Sequence, residues 1–168
     1  MMDDLAHSVL NAARTRGWRI AAAESCTGGA VCAALTRIAG ASDVIEAGFI
    51  TYSNTAKMRM LGVQKDVLDQ FGAVSQQVAA QMSAGAAKSA DVELAVAITG
   101  IAGPGGSEFK PEGRVCFGIY APTGHHTETV EFGTLGRNAV QAAATQHALT
   151  LLLNAAQSSQ IAHNLHDK

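Results

Sequence analysis

Apolar residues recur along this chain at two periods, and the switches between them mark out its elements. Leu5, Val9, Leu10 and Ala13 fall three and four residues apart, which predicts an amphipathic helix over 5–16 that stops at Gly17. Residues 18–23 read as a strand, 27–38 as an alanine-rich helix stopping near Gly40, and 44–52, with its β-branched and aromatic residues, as a second strand. Ser53 or Asn54 can cap a helix that carries Lys57 and Met60 and ends at Gly62; a short helix over 65–71 follows. Val78, Met82 and Ala86 repeat every four residues in a helical pattern over 75–88. Residues 93–99, rich in Val96-Ala97-Ile98, suit a strand buried on both faces. The glycine- and proline-rich stretch from Gly100 to Gly106 cannot prolong it. Two strands over 114–120 and 127–132 joined at Pro122-Thr123-Gly124, a long helix over 137–156 and a frayed polar tail complete the pattern.

This order of elements predicts an α/β fold, a three-layer α/β/α sandwich with a mixed, mostly parallel sheet whose late strand pair is antiparallel. No repeat or linker divides the 168 residues, so 1–168 is expected to form a single domain. Ligands of open α/β sheets sit beyond the carboxyl ends of the strands, and Ser25, Tyr52 and Thr99 fall there.

Composition narrows the classes. Twelve basic against fourteen acidic residues give a net charge of -2 with no block of one sign, which argues against a nucleic-acid partner. Cys26, Cys32 and Cys116 form an odd set without Cys-x-x-Cys spacing, so neither a disulfide framework nor a structural zinc site is expected. A reducing cytoplasm is the expected location. No apolar run approaches the roughly 20 residues of a bilayer span, and no membrane partner is expected. His125, His126, His147, His163 and His166 lie in a turn, a helix and a polar tail, contexts that favour surface histidines over metal ligands.

The candidate chemistry lies in Ala21-Ala22-Ala23-Glu24-Ser25-Cys26-Thr27-Gly28-Gly29, where an apolar strand ends in a turn bearing a hydroxyl and a thiol and is expected to open directly into a helix. Unpaired N–H groups at a helix start suit a phosphate or a developing oxyanion. Two readings of Ser25 are open on local sequence, a helix N-cap or a nucleophile. Cys26 is the rival nucleophile, since a thiol at a helix start can ionise readily. Lys57 reads locally as a solvated helix residue.

Several phrases are more specific than any one motif: Ala23-Glu24-Ser25-Cys26-Thr27-Gly28-Gly29, Thr51-Tyr52-Ser53-Asn54 with Lys57, Gly72-Ala73-Val74-Ser75, Thr99-Gly100-Ile101-Ala102-Gly103-Pro104, and more weakly Lys110-Pro111-Glu112-Gly113 and Gly136-Arg137. In this order the chain resembles, over nearly its whole length, the CinA C-terminal domain family of competence/damage-inducible proteins, whose characterised activity is nicotinamide mononucleotide deamidation. The resemblance implies a serine nucleophile at Ser25, a lysine general base at Lys57 and Tyr52 as a polar neighbour. It also implies a nicotinamide-nucleotide amidohydrolase of pyridine-nucleotide salvage that needs neither cofactor nor metal. Lys57 acts only as the neutral amine, and a helix end and partial burial are expected to lower its pKa. Substrate binding is assigned to Thr27, Gly28, Gly29, Thr99, Gly100 and Arg137: glycine amides approach a phosphate closely, Arg137 offers a fork of donors, and Thr99 orients Lys57 or the substrate. Gln141 stands where relatives often carry arginine, and the acidic residue common between Gly136 and Arg137 is missing. In many relatives the domain follows a second, cofactor-binding-like domain, from which no activity is carried over. The expected partner is nicotinamide mononucleotide or a related small nucleotide, with assembly as a homo-oligomer. Two alternatives stand beside the enzyme: a catalytically weak nucleotide-binding or regulatory module, and a structural oligomerisation domain built on the alanine-rich helices.

Overall fold

Three apolar runs, Ile20–Glu24 (β1), Ile45–Ile50 (β2) and Leu94–Gly100 (β3), lie side by side and parallel, because each connection between them carries helices that must pack back onto the sheet. The computed structural model describes residues 1–107 and 109–159. Arg114–Tyr120 (β4) and His126–Glu131 (β5) extend the sheet antiparallel beyond β3, giving the order β2-β1-β3-β4-β5 among the described residues. The helices are Met2–Arg16 (α1), Ala30–Thr36 (α2), Asn54–Leu61 (α3), Lys65–Phe71 (α4), Gln76–Ala90 (α5) and Arg137–Gln157 (α6), with a 3-10 turn at Ala41–Asp43. The expected sandwich with a parallel core is therefore observed.

Alternation along β1 sorts its residues between two cores. Ile20 and Ala22 join Leu94, Val96 and Ile98 under α1, α2 and α6, while Ala21 and Ala23 join Ala95 and Ala97 under Leu61, Val78 and Met82 of α3 and α5. The two clusters are the outer layers' contacts with the sheet, and each fully buried large side chain among them contributes roughly 1.5–3 kcal/mol. Register aligns the strand ends: Glu24 pairs with Ile50 on one side and Ile98 on the other, so Ser25 and Thr51, just past β1 and β2, lie level with Thr99 near the end of β3.

Several boundaries differ from the sequence pattern: the first two strands are shorter at their outer ends, beginning at Ile20 and Ile45, and the second stops at Ile50, before Tyr52. The first helix starts at Met2 rather than Leu5, with Asp3 and Asp4 in its first turn, where carboxylates favour the helix dipole. The second helix begins at Ala30, not at residue 27, and ends at Thr36. Gly28 and Gly29 adopt φ of 60° and 108°, a left-handed geometry that an α-helix cannot use, so a turn over 26–29 separates Ser25 from the helix. Ser25 is consequently not an N-cap.

Close approach between α3 and α5 fixes the position of Lys57. A Cβ on Gly85 of α5 would lie 1.9 Å from the Leu61 carbonyl oxygen at the end of α3. Gly85→Ala must push the two helices apart, with an expected cost of about 2–3 kcal/mol. A lowered melting temperature in calorimetry checks this; an unchanged one would mean that the helices do not pack as described.

Candidate active site

The strand ends bring the serine and the lysine together. Ser25 is the first residue past β1, held by its own N–H to the Ile98 carbonyl (2.9 Å) and by the Gly28 N–H to its carbonyl (3.0 Å). Being odd-numbered, it is expected by alternation to project to the face of α3, opposite to Glu24. Ser53 caps α3, its side chain accepting from the Ala56 N–H, and Lys57 follows as the fourth helical residue. Lys57 Nζ lies 3.0 Å from Ser25 Oγ and donates to the Thr51 carbonyl at 2.8 Å.

Lys57 is only 1 % exposed, and among the described residues no carboxylate forms an ion pair with it. Burial without a counter-charge penalises the ammonium and pulls its pKa below that of an ordinary lysine. The direction expected from sequence holds, and burial is the cause that the structure supplies. A Cys26 thiolate would oppose the shift. Burial, however, pushes the Cys26 thiol up to about 12, so Cys26 is a neutral thiol near pH 7 and has no such influence there. The same shift removes the reason to treat Cys26 as a reactive nucleophile.

The cleft above this pair has a volume of about 310 Å³, at the lower end of ligand-sized sites, and Ser25, Lys57, Tyr52, Thr99, Gly100 and Arg137 all contribute to its lining. Tyr52 is 60 % exposed and its hydroxyl accepts from an Arg137 guanidinium nitrogen (2.5 Å), whose other terminal nitrogen donates to the Gly103 carbonyl (2.7 Å). Thr99, 1 % exposed, donates its hydroxyl to the Ala73 carbonyl (2.9 Å) rather than to Lys57. A larger groove of about 680 Å³ along β2, lined by residues such as Cys32, Ile38 and Ile45, lacks the serine–lysine pair, so the chemistry is assigned to the smaller cleft.

Thr27, Gly28 and Gly29 are placed differently. They stand outside the cleft lining: the Gly28 N–H is taken by the Ser25 carbonyl, and the donors of Thr27 and Gly29 turn inward to Glu24, whose Oε1 accepts from Thr27 Oγ1 (2.7 Å), Gly29 N (3.2 Å) and Val31 N (2.9 Å), and whose Oε2 accepts from Cys32 N (3.1 Å). An internal carboxylate thus occupies the start of α2, where the sequence pattern suggests a phosphate. Backbone N–H groups of Ala102 and Gly103 carry no hydrogen bond among the described residues, and that of Cys26 meets only its own thiol.

Other contributors are not assigned roles by sequence. Asn54 lines the cleft beside the capping Ser53, although the pattern treats the two as interchangeable caps. Lys110 Nζ donates to the Phe71 (2.8 Å) and Val74 (2.6 Å) carbonyls, and Glu112 Oε1 accepts from Gly105 N (2.9 Å), so the Lys110-Pro111-Glu112 phrase ties down both loops beside the cleft. Gln141 Nε2 donates to the Cys26 carbonyl (3.0 Å), joining α6 to the serine turn. Asn54, Lys110 and Glu112 stand in quoted phrases and Gln141 at a position marked by its departure from the arginine of relatives, but the contacts of Lys110 to the 71–74 loop and of Gln141 to Cys26 span long sequence separations.

The histidines lie elsewhere: His126 and His147 both contact Glu128, His125 stacks on Tyr120, and His163 and His166 fall outside the described residues. Among the described residues no group of three or more His, Cys, Asp or Glu is arranged to hold a metal ion, and no helix is long and apolar enough to cross a membrane.

Comparison with known proteins identifies the family of the chain. A family model, the CinA C-terminal domain, matches residues 2–156. A CinA-like protein of Syntrophobacter fumaroxidans is 51% identical over 140 residues, 83% of this chain, although the chain spans only 33% of that protein's length. The nicotinamide-nucleotide amidohydrolase PncC of Escherichia coli K12 is 46% identical over 149 residues, covering 88% of this chain and 90% of the relative. Among solved structures, the competence/damage-inducible protein CihA of Agrobacterium tumefaciens superposes with a TM-score of 0.89 at 42% identity, covering 93% of this chain and 96% of that one. With its fold and nearly all of its described length matched, the chain belongs to the CinA C-terminal domain family.

Proposed function

We propose that this chain is an amidohydrolase that converts nicotinamide mononucleotide to nicotinate mononucleotide and ammonia, with Ser25 as nucleophile and Lys57 as general base. The observation that carries the reading is the buried Lys57 Nζ, 3.0 Å from Ser25 Oγ and free of any carboxylate ion pair among the described residues. The PncC relatives, named nicotinamide-nucleotide amidohydrolases, support the substrate class.

An amide carbonyl is a poor electrophile, so the serine needs a base as attack begins. Neutral Lys57 takes the Ser25 proton while Oγ bonds to the carboxamide carbon. The oxyanion so formed is held by N–H donors of the serine turn or the glycine loop, for which the Cys26 amide and the unbonded amides of Ala102 and Gly103 are the candidates. The C–N bond then breaks, Lys57 returns its proton to the departing nitrogen, and ammonia leaves an ester on Ser25. Water attacks that ester with Lys57 again accepting a proton, which finally passes back to Ser25 Oγ as the carboxylate is released. No step requires a cofactor or metal.

Arg137 is the phosphate contact in this reading. Guanidinium presents five N–H groups in a rigid fork, and its bonds to Tyr52 and Gly103 leave others for an anion. Arg137→Ala is expected to raise KM for nicotinamide mononucleotide about 10- to 100-fold with kcat changed only a few-fold. The effect should vanish with nicotinamide riboside, which has no phosphate. Steady-state kinetics on both substrates checks this, and a lower kcat at unchanged KM would place Arg137 in the chemistry instead.

Incubation of purified protein with nicotinamide mononucleotide, with ammonia and nicotinate mononucleotide measured together, tests the function. Equimolar products are expected, with no change on adding a chelator. Binding without either product would favour a nucleotide-binding or regulatory module.

A further inference from the structure

We propose that Glu24 is a positioning residue for the nucleophile: its buried carboxylate closes the 25–32 segment into one rigid turn and so holds Ser25 Oγ against Lys57 Nζ. The proposal rests on the reading of Ser25 as nucleophile.

Glu24 is fully buried, and among the described residues no cation pairs with it. Burying an unpaired carboxylate is costly, and an ordinary serine or threonine cap would satisfy a helix start without a charge. Glu24 does more than cap. From the last position of β1 it collects donors at residues 27, 29, 31 and 32, spanning the whole turn and the first residues of α2. These are charge-assisted bonds, each stronger than a neutral one.

The main chain on the other side is pinned as well. The Glu24 carbonyl accepts from the Thr51 N–H (2.8 Å) and the Ser25 N–H donates to the Ile98 carbonyl, so the peptide linking the two residues is clamped between β2 and β3. With that peptide fixed and the following turn tied back to the Glu24 side chain, the backbone at residue 25 cannot rotate without breaking several bonds. A left-handed glycine pair would otherwise leave this turn pliable. Glu24 lies on the α1, α2 and α6 side of the sheet, outside the cleft lining, and acts through Ser25 rather than on substrate. Its charge faces the α2 amides, and the lowered pKa of Lys57 comes from burial, so the device is geometric.

Glu24→Gln keeps size and shape, but its amide NH2 must oppose a backbone N–H donor that the carboxylate accepts. A misplacement near 1 Å costs about 100-fold in rate, and the expected result is a kcat lowered by about that factor with KM within about 3-fold of wild type. Labelling of Ser25 by a fluorophosphonate, read by mass spectrometry of the folded protein, should slow by the same factor. The midpoint of the ascending pH–kcat limb should stay where it is. Thr27→Val removes only the hydroxyl donor to Glu24 and should lower kcat about 10-fold in the same pattern; it decides the matter if Glu24→Gln does not fold. Wild-type kcat and labelling in a folded Glu24→Gln variant, or in Thr27→Val where only that folds, would overturn the proposal. So would a shifted pH midpoint that accounts for the whole loss, which would make Glu24 an electrostatic partner of Lys57. Failure of the fluorophosphonate to label Ser25 in the wild type would instead overturn the nucleophile assignment itself.

Discussion

Ser25→Ala should lose turnover of nicotinamide mononucleotide by about 10⁴-fold or more while keeping a melting temperature within a few degrees of wild type. The size follows from the step removed: without Oγ there is no covalent ester, and only binding and oxyanion donors remain. Stability is spared because Ser25 Oγ accepts one bond, from Lys57, in a turn otherwise held by backbone bonds and the Glu24 carboxylate. Cys26→Ala is the matched control. Its thiol is buried, with a pKa pushed up to about 12, so its loss should leave most of the turnover intact. Rapid quenching with substrate followed by peptide mass spectrometry should place any acyl adduct on Ser25. Full activity in Ser25→Ala, or an adduct on Cys26, would move the nucleophile by one residue.

Lys57→Met should abolish activity by about 10⁴-fold yet leave the protein at least as stable near neutral pH. Methionine matches the length of the stem and removes a charge that burial disfavours. The pH dependence separates this from generic damage. Because the folded pKa of Lys57 lies below the unfolded value, the unfolded chain holds more protons between the two, and stability rises with pH through that window. The penalty is full below the folded pKa and is relieved as pH climbs towards the ordinary lysine value of about 10.4. Melting temperatures measured from neutral to alkaline pH should show this slope in the wild type and its loss in Lys57→Met. In wild type, kcat/KM should rise on a limb whose midpoint lies below that of a free lysine. A variant that melts far lower at every pH would mean that the lysine is a structural residue.

Much of the fold is written locally. Apolar runs at Val96-Ala97-Ile98 and Val44 to Phe49 place strands, and the four-residue repeat of Val78, Met82 and Ala86 places α5, because burial on one or two faces imposes those periods. The start of α2 is not legible in the same way. Alanine content favours helix from residue 27, and only the positive φ of Gly28 and Gly29 stops it. Lys57 illustrates the same limit at the site. Beside Met58, Arg59 and an exposed Met60 it reads as a solvated residue, and its burial arises only when α3 settles over the end of β1. Glu24 has a recognisable sequence setting, an acid between an alanine strand and a glycine turn. Its function depends on a loop that brings Thr27, Gly29, Val31 and Cys32 around it, and no periodicity encodes that.

Carbon-13 NMR titration of the Lys57 side chain, assigned by its disappearance in Lys57→Met, measures the central quantity directly. A midpoint clearly below about 10.4 is expected, the mark of an amine able to accept the Ser25 proton. A midpoint at or above that value would contradict the account, since Lys57 would then remain an ammonium beside a serine it cannot deprotonate.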